Sequence, residues 1–262
     1  MLLCGEKIDH RDEKAQRFQS VLFLPYKTQR LLRFLCACSV SAVKNMEHTY
    51  SIRDLTIAGI PFQIQEIADS GALFDSIIAA GPGSDDFKDE RIPYWAELWP
   101  SAIAMAEHIL SKKIGAGMTA LEIGCGPGLP GIAAGKMGAK VTMTDYQPDA
   151  LDMAKSNWKL NSNIDAGFHL LDWRKPDAAL AADLLLASDV AYERKSFKAL
   201  LHAFQVLLKP GGLILLSEPG RKFAVSFFDL VKDAGYTGER FAYSIPLNNV
   251  TTVVGVYEFR RQ

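Results

Sequence analysis

Cysteine is scarce in this chain and poorly placed for chemistry: Cys4, Cys36, Cys38 and Cys125 form no C-x-x-C pair, and the five histidines stand far apart. That spacing excludes a disulfide framework and an ordinary zinc site, so no metal is expected, and a reducing, cytoplasmic setting is the default. Net charge is lacking too. With 29 basic residues against 30 acidic, nothing in the bulk composition suggests a nucleic-acid partner. Long apolar runs are also missing. Leu31 to Val43 is too short for a membrane span, is broken by Arg33, and lies too far from Met1 for an ordinary signal peptide. What is there is an ordinary globular composition, 262 residues of which 48% are apolar, enough for one sizeable core.

Residues 1–45 differ from the rest, with three of the four cysteines, eight basic against four acidic residues and no clean period. They read as an N-terminal extension, either a flexible tail or a start-site artefact, because orderly domain sequence follows directly on Met46. Setting them aside leaves 21 basic and 26 acidic residues over 46–262. This mild acidity favours a basic partner, such as a lysine-bearing protein surface, over a nucleic-acid backbone.

The most informative stretch is Thr119-Ala-Leu-Glu-Ile-Gly-Cys-Gly-Pro-Gly-Leu-Pro-Gly131, an apolar strand entering a glycine-dense turn and then a small-residue helix. Gly124, Gly126 and Gly128 let the backbone bring its own N–H groups against a ligand at a helix N-terminus. Beside a plain glycine turn with no ligand, two readings follow. Residues 126–131 spell G-x-G-x-x-G with Asp145 at a suitable distance for a dinucleotide ribose, which implies an NAD(P)-dependent oxidoreductase. Alternatively, Glu122 and the glycines spell E-x-G-x-G-x-G, which resembles the first motif of the class I S-adenosylmethionine methyltransferases. There a carboxylate helps hold the cationic methionine end of the cofactor. An acid beside a pyrophosphate would repel it, so Glu122 suits the second reading better.

The flanking sequence extends that resemblance. Residues 50–68 partly alternate around Gly59 and suggest a hairpin, and 81–91 form a polar loop. Pro100 suits the first turn of a helix with the stripe Ala102, Ile103, Ala106, Ile109 and Leu110. Strands are expected near 119–124, 140–145, 167–171, 183–188 and 213–217 with helices between them, then an antiparallel pair at 237–246 and 250–260. Asp145 closes the second of the parallel strands, where a carboxylate can accept two hydrogen bonds from a ribose diol or simply precede a helix. Trp158 reads as core packing. Leu184 to Glu193 is a buried strand ending in Ser188-Asp189, with Tyr192 just beyond, at the strand end where open α/β sheets bind ligands.

Tyr94-Trp95 with Trp99-Pro100, the D-x-x-Y of Asp189 and Tyr192, L-K-P-G-G-x-L from Leu208 and the turn Glu218-Pro-Gly-Arg221 occur in family order over residues 50–260. Together they are similar to the protein-lysine methyltransferase branch, and the last turn to the enzymes acting on electron-transfer flavoprotein lysines. The resemblance implies a Rossmann-like α/β fold, a seven-stranded mostly parallel sheet with helices on both faces, binding S-adenosylmethionine. It implies that Trp99 borders the methionine end and Trp95 lines the substrate entrance, unless both are simply core aromatics, and that Asp172-Trp173 reads the adenine, unless that pair is only a loop turn. Glu122, Gly124, Gly126, Gly128, Asp145 and Ser188 complete the cofactor set. Asp189 would accept a hydrogen bond from the acceptor and Tyr192 would orient it. The implied acceptor is a protein lysine ε-amine, with a small-molecule N- or O-methyltransferase as the alternative and neither nucleic acid nor membrane as partner.

Overall fold

The computed structural model describes residues 49–73, 75 and 93–261. The expectations for residues 1–45 and for the loop at 81–91 lie outside these. Thr49–Ala68 and Tyr94–Gln262 belong to one unit. Of the other, the described part is a helical turn in which the Ala72 N–H donates to Asp69 Oδ1 (2.9 Å).

Two strands, β1 (Tyr50–Ile57) and β2 (Ile60–Ile67), form the hairpin expected around Gly59. Ala58 and Gly59 both take positive φ, 49° and 78°, the left-handed pair whose twist matches a two-residue hairpin turn. The chain then runs through α1 (Pro100–Lys112), β3 (Thr119–Ile123), α2 (Leu129–Lys136), β4 (Lys140–Asp145), α3 (Pro148–Asn161), β5 (Gly167–Leu170) and β6 (Ala182–Ser188). It ends with α4 (Phe197–Leu207), β7 (Leu208–Glu218), α5 (Val225–Asp233), β8 (Tyr236–Leu247) and β9 (Val250–Arg261).

Strands β3 to β9 make one seven-stranded sheet in the order β5-β4-β3-β6-β7-β9-β8, parallel except for β9. Alternate residues of each central strand feed two cores. Ala120, Leu184, Leu186, Leu213 and Leu215 pack with α1, α2, α3 and the hairpin, whereas Leu121, Ile123, Leu185, Ala187, Ile214 and Leu216 pack with α4 and α5. A sheet buried on both faces explains why these strands read as continuous apolar runs. From β3 the chain builds outward through β4 to β5, then returns to the other side of β3 for β6. The crevice at that reversal, outside the carboxyl ends of β3 and β6, is where sheets of this kind bind ligands.

One boundary differs from expectation. The strand expected near 213–217 starts earlier: β7 begins at Leu208, which pairs with Ala182 before the register shifts and Leu213 pairs with Leu184. The Pro-Gly-Gly residues are accommodated as an irregularity in the ladder, with Gly211 at φ 74°.

The hairpin is fastened to α3 by amides. Asn157 Oδ1 accepts the Gln65 N–H (2.6 Å) and its Nδ2 donates to the Gln65 carbonyl (3.1 Å). Asn161 repeats this on Gln63 (3.0 and 2.7 Å). Residues four apart on a helix rise about 6 Å and two apart on a strand about 6.7 Å, so the two repeats match closely enough for side chains to stand in for a third strand. Asn157 Nδ2 also donates to the Pro127 carbonyl (3.0 Å) inside the glycine turn. Asn157→Ala therefore strands three backbone groups at a fully buried position. The expected loss is about 2–3 kcal/mol, read as a lower urea midpoint with unchanged slope; an unchanged midpoint would show the amide ladder to be incidental.

Candidate functional site

The turn after β3 is left-handed at three alternate residues, with φ 61° at Gly124, 48° at Gly126 and 80° at Gly128. A Cβ at Gly128 would stand 2.9 Å from Met143 Sδ, and one at Gly131 would stand 2.6 Å from Glu122 Oε2. The glycines thus serve two purposes, the bend itself and the close seating of α2 on β3 and β4. Glu122 lies beneath this turn, 1% exposed, and Oε2 accepts the Gly131 N–H (3.0 Å) in the first turn of α2. Burial, resisted by that N–H and reinforced by the charge of Asp145, pushes its carboxyl up to about 8.

Asp145, at the end of β4, is buried beside it. Oδ2 accepts the Gly126 N–H (3.1 Å) and Oδ1 the Gln147 N–H (3.0 Å). Burial outweighs these donors and raises it to about 6. The Tyr146 N–H also bonds this carboxylate, so of its about four lone-pair sites one remains for a further donor. Cys125 is packed between the layers, and burial with the Asp145 and Glu122 charges drives its thiol up, which makes it an inert residue. The turn therefore covers two acids.

Over the turn lies the segment before α1. Trp95 Cα is 3.5 Å from where a Gly126 Cβ would stand. Trp99 precedes Pro100 at the start of α1 and its Nε1 donates to the Tyr94 carbonyl (2.7 Å). Tyr94 packs edge-on against Trp99 (6.0 Å) and against Tyr192 (5.5 Å), so three aromatic rings connect this segment to the end of β6. Burial raises the Tyr192 hydroxyl, with the charges of Tyr146 and Glu193 adding to it, so it stays protonated across the physiological range. In the first turn of α1, Ser101 Oγ is the buried side-chain polar atom without a hydrogen-bond partner among the described residues.

At the ends of β6 and β7, Ser217 Oγ donates to Ser188 Oγ (3.1 Å) and the Asp189 N–H donates to the Ser217 carbonyl (3.0 Å). Asp189 takes φ 57°, left-handed for a residue with a side chain. Its Oδ1 is paired with Arg221 Nη1. Asp172, beyond β5, is held by Arg174, whose Nε reaches both oxygens (2.8 and 2.9 Å). Partial burial opposes ionisation there, but Arg174 holds the carboxyl below its usual range. Trp173 packs against the α4–α5 core.

The structure thus gathers Glu122, the three glycines, Asp145, Trp99, Ser188, Asp189 and Tyr192 along the carboxyl ends of β3, β4 and β6 and the segment over them. It sets Asp172 and Trp173 at the end of β5, next to Leu171, whose N–H donates to the Asp145 carbonyl (2.8 Å). Sequence reasoning missed Asn157 and the roles of Tyr94, which packs between Trp99 and Tyr192, and of Arg221. Two asparagines four apart in the last turns of a helix were the available signal for Asn157, and the Glu218-Pro-Gly-Arg221 turn for Arg221. Among the described residues, no three His, Cys, Asp or Glu side chains are grouped to hold a metal, and no helix is long and apolar enough to cross a membrane.

Residues 90–234 match the pattern of a family described as lysine methyltransferase. The chain belongs to that family. Its relatives include the histone-arginine methyltransferase METTL23 of Rattus norvegicus, 33% identical over 143 residues, covering 49% of this chain and 64% of that one. The electron transfer flavoprotein beta subunit lysine methyltransferase of Danio rerio is 33% identical over 132 residues, 49% and 51% of the two chains. The protein N-lysine methyltransferase METTL21A of Danio rerio is 32% identical over 146 residues, 51% and 64%. The chain therefore spans about half to two thirds of the length of the curated relatives it matches. Among solved structures, a SAM-dependent methyltransferase from Streptococcus mutans superposes with a TM-score of 0.55 at 14% identity, over 84% of this chain and 57% of that one. The N-methyltransferase NodS of Bradyrhizobium japonicum WM9, in complex with S-adenosyl-L-homocysteine, gives 0.50 at 18% identity over 71% and 97%. At these identities the likeness concerns the fold alone, a Rossmann-like α/β sheet.

Proposed function

We propose that this protein transfers the methyl group of S-adenosylmethionine to the ε-amine of a lysine in a protein substrate. The observation that carries the reading is the pair of buried acids, Glu122 and Asp145, under a left-handed glycine turn at the reversal point of the sheet. Two buried carboxyls can ionise to meet a cationic ligand, whereas a pyrophosphate would hold them protonated and find no counter-charge, which argues against the NAD(P) alternative. The residues present fit S-adenosylmethionine: Asp145 keeps a lone-pair site for a ribose hydroxyl, the Glu122 carboxyl lies beneath the turn where a bound cation would favour its ionisation, and Asp172 with Trp173 stands beside Asp145 for the base. When bound, that group supplies an already activated methyl on a sulfonium.

The chain's own residues then have a positioning task, since the incoming nucleophile needs alignment more than activation. A lysine of ordinary pKa, about 10.4, must lose its proton at a cost of roughly 4–5 kcal/mol at neutral pH. Removal from water lowers this cost, and the Tyr94, Trp99 and Tyr192 rings give the entrance apolar walls. Asp189 accepts a hydrogen bond from the amine, and Tyr192, protonated, orients it without acting as a base.

The family and its lysine-modifying relatives support the acceptor. Relatives acting on arginine and histidine set the competing readings within the same chemistry. Incubating the protein with methyl-labelled S-adenosylmethionine and a lysate of its own host should label a discrete protein band, with mass spectrometry placing the methyl on a lysine ε-nitrogen. Label on arginine or histidine would reassign the acceptor, and label confined to the small-molecule fraction would favour the N- or O-methyltransferase alternative.

A further inference from the structure

Arg221 lies on none of the strands or helices that form the glycine turn, yet its guanidinium enters the site. The turn that carries it is tightly specified. Glu218, 2% exposed at the end of β7, accepts the Gly220 N–H on Oε2 (2.6 Å) and the Arg221 N–H on Oε1 (2.7 Å), while Gly220 takes φ 83°. The same Oε1 lies 3.6 Å from Arg221 Nη1. Each Glu218 oxygen thus takes one backbone N–H and folds this turn back on itself, and the turn aims Arg221 at Asp189.

The pairing is asymmetric. Arg221 Nη1 binds Asp189 Oδ1, and Oδ2 has no hydrogen-bond partner among the described residues. Both side chains are largely withdrawn from water, 17% and 13% exposed, so the contact is a desolvated charge-assisted bond and not a solvated surface pair. Asp189 is also held from its backbone, by the N–H bond to Ser217 at a left-handed φ. With the backbone and one carboxylate oxygen both fixed, the remaining oxygen has a single direction.

We propose that Arg221 is a positioning residue for methyl transfer, which takes Oδ1 of Asp189 and so presents Oδ2 to the acceptor amine. The proposal rests on the reading of Asp189 as the acceptor-binding carboxylate. It adds that the Glu218-Pro-Gly-Arg221 turn acts on the reaction through Asp189 and has no part in holding S-adenosylmethionine. It also bears on which acceptor is used. A substrate guanidinium would need an acid to grip, and Asp189 and Glu218 already hold a guanidinium of the chain's own, whereas a neutral amine needs one acceptor oxygen.

The test is a cycle of Arg221→Gln, Asp189→Asn and the double variant in the full chain. The initial rate of methyl incorporation into host-lysate protein is measured at saturating S-adenosylmethionine, beside calorimetric affinity for S-adenosylmethionine. Arg221→Gln is expected to slow incorporation roughly 10- to 100-fold, the rate equivalent of one charge-assisted hydrogen bond, with affinity changed less than about threefold. Arg221→Lys, which keeps the charge but not the fork, should fall between Gln and wild type. The double variant should be no slower than Asp189→Asn alone, because a residue that acts through Asp189 has nothing left to position. A wild-type rate in Arg221→Gln while Asp189→Asn is slow overturns the proposal and leaves the Asp189 reading intact. A wild-type rate in Asp189→Asn removes that reading and this proposal with it. Loss of S-adenosylmethionine affinity in Arg221→Gln places the residue with the cofactor and also overturns it. Should Arg221→Gln fail to fold, the neutral double variant decides alone: a further tenfold loss beyond Asp189→Asn is the overturning result.

Discussion

Asp189→Asn should lower the rate of methyl transfer by about 10²- to 10⁴-fold, the range in which a positioned proton acceptor contributes, while S-adenosylmethionine affinity stays within about 1 kcal/mol of wild type. The separation follows from where the side chain stands. Asp189 leaves the end of β6 beside Tyr192, whereas the acids beneath the glycine turn, Glu122 and Asp145, belong to β3 and β4. Asparagine is the better replacement because it keeps the size and can still accept from Arg221, and it tolerates the left-handed φ of 57°. Alanine would add backbone strain and leave Arg221 with its counter-charge reduced to Glu218, so a loss seen only with alanine would reflect folding. Single-turnover incorporation with equal concentrations of folded variants makes the measurement. A full rate in Asp189→Asn would take the residue out of the acceptor site.

The second large effect is one of pH. Glu122 and Asp145 are raised by burial to about 8 and about 6, from ordinary carboxyl values of 4.5 and 3.8. In the unfolded chain both ionise at the ordinary values, so above them the unfolded state releases protons that the ligand-free folded state keeps. Stability contributed by these groups is therefore fully present below about pH 4 and is lost progressively up to about pH 8, by several kcal/mol in total. Binding a cation reverses the bias, since it favours the ionised acids and expels their protons. Affinity for S-adenosylmethionine should accordingly rise between about pH 6 and 8, approaching tenfold per pH unit for each proton released. Glu122→Gln keeps an oxygen for the Gly131 N–H and has nothing to ionise. It should flatten the stability profile above pH 6, stabilise the ligand-free protein at pH 8 and weaken binding there. Urea titrations at pH 5, 6.5 and 8, with and without S-adenosylmethionine, check both halves; parallel profiles for wild type and Glu122→Gln would remove Glu122 as their source.

Much of the architecture is legible in local patterns. β4 is bounded where apolar periodicity and Asp145 suggest, β3 and β6 within a residue, and the final antiparallel pair nearly so. These patterns survive because each reports a short-range cause: two-residue alternation for strands, glycine or paired left-handed residues for turns, proline at a helix start. Asn248 and Asn249, with φ 50° and 61°, close the last hairpin in the same way as Ala58 and Gly59. β7 starts earlier than its sequence suggests because Leu208 finds a partner in Ala182 across the sheet, and ladder pairing is invisible in local composition.

By itself the sequence determined the kind of site: a glycine turn between strand and helix, an acid before it, an acid at the next strand end and D-x-x-Y at the fourth, all specified by residue type and spacing. Only the tertiary structure decided what those groups face. Strand parity puts Glu122 on the face that carries α2, so its carboxyl meets the Gly131 N–H beneath the turn. The return of the chain to β6 brings Asp189 within reach of an arginine 32 residues later, and the edge of β2 meets an asparagine 92 residues away. Such contacts join groups far apart in the chain, so no local pattern encodes them, and they exist only once the sheet order is fixed.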